Sequence, residues 1–347
     1  MNLFRTLPTL AAFVGILGVS TSVNAQTVLS VSSWVPPTHL ITNNMRTWCA
    51  DIEKGTQSRV KCNVLAKPVA PPPGALNSVR SGLADVSFTV AAYNTEPLPV
   101  AMLTALPFLS AGTKANAEFF AIANQRNYER HLAKADEFKG VKVLAISNGS
   151  ALQMYFSTSK PINTLADLKG LKMMVGDKYA ADLVTALGME PVVKPATQMY
   201  ELFSGGIVDG ALNPLEAIKS FKVGSYIKSA LLVPGGFRYA MHLYYISDAT
   251  WNKISKEDQA VLMAAAGEKM SRRHGQGFDQ EDRAGLDDIK ANGAKITVAT
   301  PAMIKDLSNV GMPIAKQMSD LGKAKGIDVD RFVADMRSEI ENVAKGQ

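Results

Sequence analysis

The 347-residue sequence predicts an α/β fold in two lobes with largely parallel sheets. Two observations predict it. Short strand-like runs alternate with stretches of helical period through Ala211, the pattern of strands joined by crossover helices. One short phrase also occurs twice in the same context. Gly82-Leu83-Ala84-Asp85 follows a helical segment and precedes the run 86–90, and Gly206-Ile207-Val208-Asp209 follows another and precedes 210–214. In each, a glycine can end the helix in the left-handed conformation, the apolar residue can pack back on the core, and the aspartate can cap the turn into the next strand. One copy in each half suggests two lobes of similar topology.

The elements follow in order. Residues 1–25 carry Arg5, an uncharged apolar run at 10–19 and the small-x-small site Val23-Asn24-Ala25, the marks of a cleaved export signal. The apolar run is half the roughly 20 residues a spanning helix needs. No cysteine follows the cleavage site, so a lipid anchor is not expected. An alternating strand at 27–35 is broken by Pro36-Pro37-Thr38. A helix over 40–54 puts Ile41, Met45, Trp48 and Ile52 on one face. A strand at 60–65, a proline-rich loop at 68–74, a helix at 76–81 and a strand at 86–90 come next. A loop with Pro97, Pro99 and Pro107 spans 93–110, a helical segment 114–139, and strands 141–147 and 151–157. Ser255 to Asp258 reads as a capping box opening a long helical pattern over 256–291, where Gly267, Gly275 and Gly277 are expected to kink or break it. A last helix covers 328–344.

Charge and motifs exclude several functions. The net charge is +6, so removal of a signal carrying only Arg5 leaves +5. Basic residues are interspersed with acids and form no stripe with aromatics, which argues against nucleic acid. The mild positive charge favours anionic solutes. There is no GxSxG, HExxH, Walker A or strand-associated GxGxxG, and His39, His131, His242 and His274 are far apart. Asp287 and Asp288, adjacent on a helix, face different sides. The chain is therefore read as a non-enzyme without cofactor or metal, leaving open a triad assembled only in three dimensions. Cys49 and Cys62, 13 positions apart, are either a disulfide or two free buried thiols. Neither has a CxxC partner.

Several segments resemble one family over nearly the whole chain. The run 161–172, Pro-Ile-Asn-Thr-Leu-Ala-Asp-Leu-Lys-Gly-Leu-Lys, is similar to a signature of TRAP (tripartite ATP-independent periplasmic) transporter solute-binding proteins. So are Tyr200-Glu201-Leu202 with Gly206, Val208-Asp209-Gly210 and Asn213-Pro214; Leu106-Pro107-Phe108; and Trp251 with 253–259. The resemblance implies a two-lobed periplasmic binding protein fold. Lobe I would hold 26–151 plus about 240–279, and lobe II 152–239 plus about 280–347. A long helix would brace both, and a hinge would close the cleft on a small organic solute. It also implies a periplasmic location, a monomer and two integral-membrane partner subunits that drive uptake with an ion gradient. The alternative from another class is a sensory module docking on a receptor kinase.

Ligands of open α/β sheets sit at the carboxyl ends of strands. The ligand-contact candidates are Trp34, His39, Lys67, Tyr93, Gln153, Met174, Asn213, Phe237 and Arg238. At one of them the chain departs from the family. Where the family reads Gly-Leu-Lys-Ile-Arg-Val, with an arginine that grips the ligand carboxylate by both prongs, this chain has Met174. A second family arginine falls at Gln153. Two readings follow. In one the ligand is an organic acid and Arg238 or Lys67 holds it. In the other it is neutral, and Met174 and Gln153 line a softer pocket.

Overall fold

The computed structural model describes residues 26–347; the expected export signal lies outside the described residues. The chain runs through β1 (Thr27–Val31), α1 (Leu40–Gly55), β2 (Val60–Val64), α2 (Ala75–Arg80), β3 (Val86–Val90), α3 (Ala117–Asn127), β4 (Val141–Asn148) and β5 (Gln153–Phe156). It continues through β6 (Lys172–Val175), α4 (Lys178–Ala186), β7 (Glu190–Val193), α5 (Met199–Ser204), β8 (Gly210–Asn213), α6 (Glu216–Ser220), β9 (Ser229–Leu232) and β10 (Met241–Ser247). It ends with α7 (Asp248–Trp251), α8 (Lys256–Ala264), α9 (Gly267–Ala291), β11 (Lys295–Val298), α10 (Pro301–Ala324) and α11 (Val329–Ala344).

The strands form two sheets, ordered β2-β1-β3-β10-β4 and β11-β9-β5-β8-β6-β7. Among the described residues five strand pairings are parallel and four antiparallel. The antiparallel ones all involve β10 in the first sheet or β5 in the second. These strands adjoin the two crossings between sheets, at 149–152 and 233–240. The crossings pair with each other through Leu152 N to Arg238 O at 2.8 Å and Phe237 N to Leu152 O at 3.1 Å.

The echoed phrase is a structural repeat. The units β1-α1-β2-α2-β3 and β6-α4-β7-α5-β8 share topology, with strand orders 2-1-3 and 7-6-8. In both turns the glycine is left-handed, with φ 77° at Gly82 and 62° at Gly206. The next amide closes a wide helix-ending turn, Leu83 N to Ser78 O at 2.8 Å and Ile207 N to Leu202 O at 2.9 Å. The aspartate then accepts a strand amide, Ser30 N on Asp85 and Lys172 N on Asp209, each at 2.8 Å. One detail is corrected. Leu83 and Ile207 are 64% and 52% exposed, and the following Ala84 and Val208 turn inward instead. Alternation along the entering strand sets which of two neighbours faces the core.

Helix α1 buries the face its spacing predicts, Ile41, Met45, Trp48 and Ile52. Each such side chain stabilises the fold by about 1.5–3 kcal/mol relative to exposure. Cys49 and Cys62 form a disulfide that ties α1 to β2. The helix expected over 114–139 is shorter, because α3 ends at Asn127 and continues as a π-helical turn, Tyr128–Leu132, and a separate 3₁₀ turn, Asp136–Phe138. The loop 93–110 contains a 3₁₀ turn over Ala101–Ala105, and its Leu98 and Leu103 are fully buried.

The 256–291 pattern breaks once, before Gly267, and not at Gly275 or Gly277. Gly275 is a point of close approach instead. A Cβ there would stand 2.5 Å from Glu118 Cα, and one at Gly285 would collide with the Leu215 carbonyl. These glycines let α9 press on α3 beside the first sheet and on the start of α6 beside the second. On the same helix Asp279 accepts from Ala117 N and Glu118 N at 2.8 and 3.1 Å, and Asp282 accepts from Glu216 N at 2.7 Å. The bracing helix thus caps one helix on each side. Helix α10 escapes the sequence reading because Gly311-Met312-Pro313 looks like a break, yet Pro313 lies inside it. The last helix α11 docks on α3, with Asn127 Nδ2 donating to Phe332 O at 3.0 Å.

Candidate ligand-binding site

The carboxyl ends of the strands in both repeats meet around one cavity of about 70 Å³. Trp34 and His39 come from beyond β1, Tyr93 from beyond β3, Asp177 from beyond β6, Asn213 and Glu216 from the end of β8, and Arg238 and His242 from the crossing into β10. Most of the remaining wall is apolar, including Ile41, Val90, Leu152, Leu212, Phe221 and Phe278.

Five candidates from the sequence line this cavity, namely Trp34, His39, Tyr93, Asn213 and Arg238, and four do not. Met174 is fully buried, packed with Tyr155 and Met199. The cavity begins two residues later, at Gly176 and Asp177, and alternation along β6 turns Met174 away from Met173 and Val175. Phe237 is fully buried, 5.9 Å from Phe108 between ring centroids, while its neighbour Arg238 points into the cavity. Lys67 is exposed and lies off the cavity. Gln153 exchanges two hydrogen bonds with the Val233 backbone, at 2.7 and 3.1 Å. The neutral-ligand reading placed Met174 and Gln153 in the pocket wall, and neither is there.

Arg238 sets the chemistry. Its side chain is 1% exposed, and Nη1 donates to Asp177 Oδ1 at 3.0 Å. Asp177 in turn is the N-cap of α4, accepting from Tyr179 N and Ala180 N. Among the described residues the remaining edge of the guanidinium, Nε and Nη2, has no protein partner, nor do Trp34 Nε1 and Asn213 Nδ2. Buried donors left unpaired cost about 1–3 kcal/mol each, more when charged. A carboxylate answers this set, because it is acceptor-only and matches the side-on guanidinium edge with two parallel hydrogen bonds. Trp34 stacks on Phe88 at 4.6 Å and meets Tyr93 edge-on at 5.8 Å, giving a flat aromatic wall beside the donors.

Two contacts join the sides of the cavity. Tyr93 Oη accepts from Ala196 N at 3.0 Å, and burial pushes its phenol up to about 12, so the hydroxyl stays protonated. His39 caps α1 by accepting from Ile41 N at Nδ1, and its Nε2 lies 2.8 Å from Glu216 Oε1 with both side chains almost fully buried. Both ring nitrogens of His39 are thus occupied within the protein. Sequence reasoning missed Asp177, Glu216 and His242. An N-capping aspartate directly after a strand, Val175-Gly176-Asp177-Lys178, was the available signal for the first. Nothing local marks the other two.

A family model described as bacterial extracellular solute-binding protein, family 7, matches residues 31–320. The chain is similar to a solved TRAP periplasmic solute-binding protein from Bordetella bronchiseptica with bound (R)- and (S)-mandelate, at TM-score 0.85 and 35% identity over 91% of this chain and 99% of that one. It is similar in fold to a TRAP solute-binding protein from a marine metagenome, titled as specific for aromatic acid ligands, at TM-score 0.83 and 23% identity over 91% and 99% of the chains. A curated relative, an outer membrane transporter protein of Comamonas testosteroni, is 25% identical over 94% of this chain and 95% of its own.

Proposed function

Because the chain belongs to bacterial extracellular solute-binding protein family 7 and to the TRAP periplasmic solute-binding proteins within it, we propose that it captures a small aromatic monocarboxylic acid in this cavity and delivers it to membrane components. The observation that carries the ligand class is the unpartnered Nε and Nη2 edge of buried Arg238 inside an aromatic wall. A single guanidinium fork suits one carboxylate, and the apolar and aromatic part of the wall suits a ring. Mandelate in the Bordetella bronchiseptica relative has this chemistry.

In this reading Arg238 takes the place of the family arginine that Met174 replaces, and Asp177 holds it in position. Lobe I, 26–151 with about 240–279, and lobe II, 152–239 with about 280–347, close by a hinge at the paired crossings. Helix α11 would ride on lobe I, since it docks on α3. Tyr93–Ala196 and His39–Glu216 would form only on closure. Residues 1–25 direct export to the periplasm, where the monomer works with a small and a large integral-membrane subunit. The relatives are receptors that bind rather than turn over a solute, and the sensory-module alternative is not favoured.

The test is a thermal-shift screen of aromatic acids against their neutral amides, followed by calorimetry. An acid should stabilise the protein in proportion to its concentration over Kd, and the amide should not. Arg238→Ala should weaken acid binding by about 2–5 kcal/mol. Unchanged affinity in that variant would sink the assignment.

A further inference from the structure

Two of the four histidines, far apart in sequence, meet at the cavity wall. His242 Nδ1 lies 3.0 Å from His274 Nε2, and His274 Nδ1 lies 2.6 Å from Tyr244 Oη. The proton positions along this chain follow from its outer end. Arg273 Nε donates to Asn44 Oδ1, so Asn44 turns its Nδ2 toward Met270 O and Tyr244 Oη, at 3.2 and 3.4 Å. Tyr244 Oη therefore accepts from Asn44, and the acceptor within reach of its own proton is His274 Nδ1. Burial holds both imidazoles neutral, pushing His242 down to about 3 and His274 well below its ordinary value. A neutral imidazole carries one proton. With Nδ1 accepting, His274 carries it on Nε2 and donates to His242 Nδ1. His242 must then carry its own proton on Nε2. That nitrogen faces Gly149, where an added Cβ would stand 3.4 Å away, and both residues line the cavity.

We propose that His242 Nε2–H is a specificity-determining donor for a second oxygen of the ligand, hydroxyl or carbonyl, and that Tyr244 and His274 are positioning residues that hold it in the donor form. The proposal rests on the reading of the cavity as an acid pocket. It assigns the ligand a class narrower than aromatic acid: an aryl acid with an oxygen acceptor besides its carboxylate. An ammonium in the same place would oppose donor to donor, so the amino counterpart is rejected.

Calorimetry with four probes tests this. Phenylacetate is the parent, mandelate and 3-hydroxyphenylacetate carry the second oxygen at two positions, and phenylglycine carries an ammonium. One hydroxy acid should bind about tenfold or more tighter than phenylacetate, the size of one satisfied buried donor, and phenylglycine should not bind. His242→Phe should lose the preference, read as the ratio of hydroxy-acid to phenylacetate affinity. Tyr244→Phe, which removes one oxygen, should weaken the preference by freeing the tautomer, a change that a packing role would not produce. Should His242→Phe not fold, the same ratio is read in Tyr244→Phe. Equal affinities in the wild type, or a preference unchanged in the variant that folds, overturns the proposal. If phenylacetate binds through Arg238 but shows no preference, the acid pocket stands and this inference alone fails. If no acid binds, both fail.

Discussion

The two repeats share a backbone plan and diverge where the plan reaches the cavity. Both end their second helix with a left-handed glycine and anchor the next strand with an aspartate on a neighbouring amide. Both place the N-cap of their first helix at the cavity, but the caps differ. His39 caps α1 and engages Glu216 of the other side, whereas Asp177 caps α4 and orients Arg238. The first repeat supplies the aromatic wall, Trp34 and Tyr93; the second supplies Asp177, Asn213 and Glu216. Only the first carries a disulfide. Backbone hydrogen bonding sets topology and tolerates few residues, while positions just past strand ends are free to vary and so carry the function.

Several experiments can break this comparison. The largest effect is expected away from the cavity. Met174→Ala should cost about 2–5 kcal/mol in denaturant unfolding, because it empties a closed part of the second core. Ligand affinity of the folded protein should not change, and a shift in affinity would return Met174 to the site. Removing the disulfide with Cys49→Ala and Cys62→Ala should cost about 2–3 kcal/mol, from freedom regained by the unfolded chain. Hydrogen exchange should then rise in β2 more than in its counterpart β7; equal rises would mean that the repeats do not open separately. Gly82→Ala and Gly206→Ala should each cost about 1–2 kcal/mol, since both glycines are left-handed. The two losses should agree closely, and a free substitution at one would show that the turns are not equivalent.

The last effect concerns the bracing helix. Burial pushes Asp282 up to about 7, against an ordinary carboxyl near 3.9. The folded state therefore holds its proton more tightly. This contribution is full below about pH 4 and is lost as the pH rises toward 7. Burial raises Glu137 to about 7 as well, so its slope remains when Asp282 is changed. Asp282→Asn should flatten, without abolishing, the fall in melting temperature over that window. An unchanged slope would show that Asp282 does not titrate there.

Much of the scaffold was readable because it depends on local rules. The face of α1, the strand at 86–90, the capped final helix and the glycine-aspartate echo are short-range patterns. Helix α10 was not, because a proline inside a helix imitates a terminus until packing against Pro107 and Phe108 holds it. At the site, five of nine candidates line the cavity. Phe237 missed by one residue, the step that turns a side chain from cavity to core, and Met174 by lying before the strand end where the cavity begins at Gly176 and Asp177.

The sequence by itself determined the family and the two-lobed α/β plan, since each is written in contiguous residues. Only the tertiary structure decided that Arg238, and not Lys67, lines the cavity. Among the described residues the Nε and Nη2 edge of Arg238 is unpaired because Asp177, 61 positions away, takes only its Nη1. His242, His274 and Tyr244 likewise meet only in the folded chain. Partners so distant in sequence leave no local pattern, and burial, which gives an unpaired donor its energy, exists only once the chain has folded.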